Sequence, residues 1–147
     1  MNGNHFDVAI VGAGPAGIFA CFEILDQNPQ LKIALIDMGP RLGKRKAHEV
    51  MSGFGGAGAY SDGKLHYTPK LSHERALHLV TEREYVDILH SIEARFKKYG
   101  VDSDYYPRNA EEVEEMVEEA EKHDIELIVR RAQHVGTDLL RVVIKRF

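Results

Sequence analysis

FDVAIVGAGPAGIFA, residues 6–20, joins a short apolar run to a glycine-rich turn and then to a helical pattern. Phe6–Val11 is apolar and β-branched and is closed by glycine, as a buried parallel strand is. From Gly14 to about Gln27 the pattern is helical. Pro15 falls in the first turn, where a missing N–H costs little. Ile18, Cys21, Phe22 and Leu25 recur at spacings of three and four, giving one apolar face. Asn28-Pro29 ends the helix. Leu31–Ile36 reads as a second strand that runs into Asp37, and Gly39-Pro40 opens a loop. The expected unit is a parallel strand–helix–strand.

Gly12-Ala13-Gly14-Pro15-Ala16-Gly17 is a G-x-G-x-x-G, and Asp37 lies about 25 residues beyond its first glycine. Each glycine has a task in a dinucleotide-binding turn. Gly12 permits the tight strand-to-helix passage, Gly14 lets a pyrophosphate approach the backbone, and Gly17 allows close packing of helix on strand. The free N–H groups and the positive dipole end of the helix would face the pyrophosphate. Asp37 would accept hydrogen bonds from the adenosine ribose, and a carboxylate there disfavours a 2′-phosphate and therefore NADP. FAD is the expected dinucleotide, with NAD as the alternative on the same fingerprint. Glycines serving turn geometry alone are the competing structural reading.

The 147 residues suffice for one domain, with 44% hydrophobic and 29% charged content. The formal net charge of -4 argues against nucleic acid as a partner. The single cysteine, Cys21, excludes an internal disulfide and a Cys-X-X-Cys motif, and points to a reducing cytoplasm. Its place on an apolar helix face marks an inert thiol. No stretch is long enough for an integral membrane span, and no histidine or cysteine spacing suggests a metal site.

Residues 41–70 are irregular and glycine-rich, with a basic run at Arg41 and Lys44–Lys46. A loop of that length inside a compact domain is usually functional. Beyond Ser72 the pattern becomes helical. Thr81 and Glu84 make a capping box for a helix carrying Val86, Leu89, Ile92 and Phe96 and stopping at Gly100. Asn109 and Glu112 suggest a second cap, for a helix burying Val113, Met116, Val117 and Ala120. Its glutamate-rich side reads as a solvated face. Ile125–Val129 reads as one further strand, and Thr137 or Asp138 as the cap of a last helix with Leu139, Leu140, Val143 and Ile144. The expected organisation is α/β: a Rossmann-like βαβ unit with its glycine-rich cofactor loop over 1–70, then a mainly helical segment over 71–147.

FDVAIVGAGPAGIFA is similar to the start of two-dinucleotide-fold flavoproteins. Ser52–Leu65, SGFGGAGAYSDGKL, followed by Gln133–Asp138, QHVGTD, resembles the FAD-dependent dehydrogenase family, itself distantly similar to geranylgeranyl reductases. The resemblance implies an FAD-binding oxidoreductase with a small-molecule substrate and NADH or NADPH as electron donor. It makes Gly12, Gly14, Pro15, Ala16 and Gly17 the pyrophosphate loop and Asp37 the ribose acid. Arg45 is implied to contact the adenosine or phosphates, and Gly55, Gly56 and Gly58 to lie where the chain passes the cofactor. Proteins of that family are several hundred residues long, so the resemblance implies an N-terminal fragment, inactive alone. Lys64 is a candidate for charge beside the flavin, His134 for a proton donor, and Tyr60 and Asp62 for orienting the cofactor. Each also has a plain reading as a loop or strand-end residue. No catalytic acid or base is assigned. Two other readings stay open: an NAD- or FAD-binding module without turnover, and a thiazole-synthase-like protein.

Overall fold

The computed structural model describes residues 5–46, 48–68 and 79–147. The elements in order are β1 (Val8–Val11), α1 (Pro15–Gln27), β2 (Ile33–Ile36), β3 (Lys64–His66), α2 (Glu82–Lys98), β4 (Tyr105–Tyr106), α3 (Ala110–Glu121), β5 (Ala132–His134) and α4 (Thr137–Arg146), with 3-10 turns at Leu42–Lys44 and Ala57–Ala59. The class is mixed α/β. Residues up to Gly63 with Gly136–Phe147 form one compact unit, and Lys64–Val135 forms a second. The helical pattern expected from Ser72 begins outside the described residues.

In the first unit β1 and β2 pair in parallel, from Val8 opposite Ile33 to Val11 opposite Ile36. Val8, Ile10, Ile33 and Leu35 share the half-buried face. The other face leaves Val11 85% and Ile36 50% exposed. Helix α1 follows directly on β1, and the Asn28 N–H closes its last turn on the Ile24 carbonyl. Helix α4 belongs to the same unit and buries Leu140, Val143 and Ile144. Phe147, just past it, meets Phe19 and Phe22 edge to face, at centroid distances of 6.0 and 5.2 Å. The cap of α4 is Gly136, at φ 78°, rather than Thr137 or Asp138. That glycine meets Gly63, whose carbonyl accepts its N–H at 3.2 Å.

The second unit corrects the expectation of one further strand. Its sheet has three short antiparallel strands, ordered β3-β5-β4. Ile125–Val129 is not among them. The ladder partners pair instead with Ala132–His134, and Asp124 turns left-handed (φ 57°) directly after α3. Ile125, Leu127, Ile128 and Val129 are 37–57% exposed. Helix α3 is capped by Asn109, whose side chain accepts the Glu111 N–H at 3.0 Å. It buries no residue, so its expected core face is a half-covered one and Met116 is 62% exposed. Helix α2 has the expected capping box, and Phe96 is buried on its apolar face. That face also carries Glu93, 7% exposed. Its carboxylate receives Arg131 at 2.8 Å, Lys97 at 3.0 Å and the Tyr105 hydroxyl. Together these donors hold Glu93 down to about 2, Arg131 having the largest effect.

Candidate dinucleotide site

The turn between β1 and α1 is built as its glycines require. Gly12 has φ 105°, a left-handed conformation that L side chains rarely adopt. A Cβ on Gly17 would lie 1.9 Å from the Gly12 carbonyl oxygen, so helix and strand approach more closely there than any side chain permits. Gly14 is the N-cap in extended conformation, with no side-chain cap, and Pro15 follows at the first helical position. The N–H groups of Gly14, Ala16 and Gly17 have no acceptor among the described residues, as at any uncapped helix start.

Asp37, at the end of β2, reaches back to this turn. Its Oδ2 accepts the Ala13 N–H at 2.8 Å, and its Oδ1 accepts those of Gly39 and Gly53, each at 2.8 Å. The amides of Ala13 and Gly39, aided by that of Gly53 and the Arg45 charge, hold its carboxyl below the usual carboxylate range against the opposing effect of burial. A carboxylate has about four lone-pair sites. Three are engaged by backbone, so Asp37 has capacity for about one further hydrogen bond.

The glycine-rich segment lies against the same turn. The Gly55 N–H donates to the Ala13 carbonyl at 2.8 Å. Gly56 has φ 67°, and a Cβ there would meet Pro15 Cδ at 2.9 Å and Gly14 Cα at 3.2 Å. Gly55 has φ 90°, and a Cβ on it would lie 3.2 Å from Ile144 of α4. Around Gly58 a Cβ would meet nothing within 4 Å. A cavity of about 690 Å³ opens beside these groups. Ala13, Leu35, Asp37, Arg41, Phe54 and Lys145 are among the residues that line it. Its size lies within the range of small-molecule sites.

Arg45 is 8% exposed. It donates five hydrogen bonds, to the carbonyls of Glu49 (twice), Val50, Phe54 and Gly56. Those bonds use every N–H of the guanidinium. Lys64 and His134 belong to the second unit and stand opposite each other in the β3–β5 ladder, both exposed. Asp62 is exposed. The Tyr60 hydroxyl donates to the Leu42 carbonyl at 2.8 Å, which ties it to the loop. Cys21 is half-buried, and burial pushes its thiol up. Among the described residues no group of three or more His, Cys, Asp or Glu could hold a metal, and no helix is long and apolar enough to cross a membrane.

Sequence reasoning missed Gly39 and Gly53 as site residues. A Cβ on Gly39 would lie 2.4 Å from the Gly53 nitrogen, so the two segments touch backbone to backbone. The signal was present as Gly39-Pro40 and as the glycine density of Ser52–Gly58. Nothing in either stretch says that the two meet.

Part of the chain is similar to a known reductase. It is 51% identical over 43 residues to ferredoxin–NADP reductase of Oenococcus oeni (strain ATCC BAA-331 / PSU-1), a match covering 29% of this chain and 12% of that protein. The match thus spans about an eighth of that protein's length. No family model and no solved structure matches.

Proposed function

We propose that this chain binds FAD through the β1–α1 turn and forms the cofactor-binding part of a flavin-dependent oxidoreductase. One observation carries the reading. The uncapped start of α1 follows a glycine turn that Asp37, at the end of the parallel neighbour β2, holds through the Ala13 N–H. A helix start with free N–H groups, at the end of a parallel strand pair, suits a pyrophosphate. Gly14, Ala16 and Gly17 would donate to the phosphate oxygens. Asp37 would shape the turn through its three amide bonds and offer its remaining lone pair to the ribose. The cavity beside it would take the adenosine. When bound, FAD supplies two-electron redox chemistry. The partial match to a ferredoxin–NADP reductase supports the oxidoreductase class and a nicotinamide dinucleotide as the redox partner of the flavin. The single cysteine suits the cytoplasm.

A second reading, an NAD(P)-binding module without turnover, draws on the same match and on Arg41 and Lys145 at the cavity. Flavin titration separates the two. The chain is expected to quench flavin fluorescence saturably, and Gly14→Val is expected to abolish the quenching. A Cβ on Gly14 has only the Gly56 Cα nearby, at 3.9 Å, so the fold should largely tolerate a side chain that the pyrophosphate does not. Binding of NADPH or NADH without any flavin response would favour the second reading.

A further inference from the structure

Arg45 sits between two exposed lysines, Lys44 and Lys46, yet is itself 8% exposed. A buried charge without compensation is costly. Among the described residues no carboxylate lies within ion-pair distance of this one. Its compensation comes chiefly from backbone carbonyls, with the charge of Asp37 also acting on it. Nε and Nη2 donate to the Glu49 carbonyl at 3.2 and 2.8 Å, Nη2 to Val50 at 2.8 Å, and Nη1 to Phe54 at 3.1 Å and Gly56 at 2.8 Å. The guanidinium carbon also lies 4.2 Å from the centre of the Tyr60 ring.

Two of those carbonyls belong to the segment that presses on the start of α1. Gly56 is the residue whose missing side chain allows contact with Gly14 and Pro15. From the other end, Asp37 holds the Gly53 N–H and the Ala13 N–H together. Residues 53–56 are therefore gripped by opposite charges, an acid on the N–H at one end and a guanidinium on the carbonyls at the other. The Gly55 N–H closes the middle on the Ala13 carbonyl at 2.8 Å.

We propose that Arg45 is the positioning residue of the nucleotide site, fixing residues 53–56 against the phosphate loop without touching the phosphates. This rests on the reading of the β1–α1 turn given above. A planar fork with five fixed donors can span carbonyls from four residues, whereas an ammonium presents three donors from one point. Lysine keeps the charge and loses the geometry. An arginine acting through its charge alone would be largely replaced by lysine and lost in methionine, whereas a positioning arginine is lost in both.

The test uses the full chain, with ADP and adenosine as probes and circular dichroism to verify folding. Arg45→Lys and Arg45→Met are both expected to bind ADP at least about tenfold more weakly than the parent. Adenosine binding should change much less, so the preference for ADP over adenosine falls. A general loss of stability would weaken both ligands together. Gly56→Ala leaves every charge in place and pushes the segment off Pro15. It should reproduce the loss, and it decides the matter if the Arg45 variants do not fold. Parent-like ADP affinity in Arg45→Lys, or in Gly56→Ala where the Arg45 variants fail to fold, overturns the positioning role. So does a parallel loss of both ligands. If the parent binds ADP and Gly14→Val does not, such a result leaves the β1–α1 reading standing. A parent that binds neither probe overturns both.

Discussion

Gly17 and Gly58 separate two uses of glycine in one site. At Gly17 a Cβ would stand 1.9 Å from the Gly12 oxygen, so no rotamer choice relieves it. Gly17→Ala should destabilise the first unit by about 1–3 kcal/mol, the usual cost of overpacking. Gly58→Ala meets open space, and its stability in urea denaturation should match the parent. Equal midpoints for the two variants would mean that the β1–α1 contact is looser than described. The sequence made Gly12, Gly14 and Gly17 legible because a strand, a helix and a second strand surround them. It made Asp37 legible as an acid at a strand end, but not as the acceptor of three amides, because two of its donors, Gly39 and Gly53, lie in stretches without periodicity. Arg45 stands out in the sequence as part of a basic run and, by resemblance, as a contact to the adenosine or phosphates. Charge is visible in a sequence, and the carbonyls that surround it are not.

Among the elements, those with local signals are the most legible in the sequence. Thr81 and Glu84 form the capping box of α2, with the Thr81 N–H donating to Glu84 at 2.8 Å. Thr81→Ala should cost about 1 kcal/mol, read as a lower midpoint in thermal denaturation. An unchanged midpoint would show that α2 does not depend on its cap. The strands of the second unit are two or three residues long, too short for alternation to show. Ile125–Val129 has the β-branched composition of a strand and lacks a ladder partner among the described residues, where Lys64–His66 and Tyr105–Tyr106 pair with the next stretch. The apolar spacing of α3 is real, but the sequence alone does not say that its face stays half-covered.

At the scale of the molecule, α4 closes the chain by returning to the first unit. Gly63 and Gly136 make that return possible, since a Cβ on Gly63 would lie 2.4 Å from the Gly136 carbonyl carbon. Neither glycine carries a motif. The second unit is held by the Glu93 cluster, which an apolar helix pattern conceals. Because folding lowers the Glu93 pKa to about 2, its stabilisation is complete above the ordinary glutamate range and is lost as pH falls through about 2. Glu93→Gln should lower stability by about 1.5–3 kcal/mol near neutral pH and reduce the loss on acidification. An acid profile identical to the parent's would remove Glu93 from that account. The claim on which the function rests is that the start of α1 holds a nucleotide's phosphates. Amide resonances of the 147-residue chain, followed while ADP is added, test it directly. The N–H signals of Gly14, Ala16 and Gly17 should move most and saturate together. Saturable binding that shifts other amides and leaves those three unmoved, or no binding at all, would contradict it.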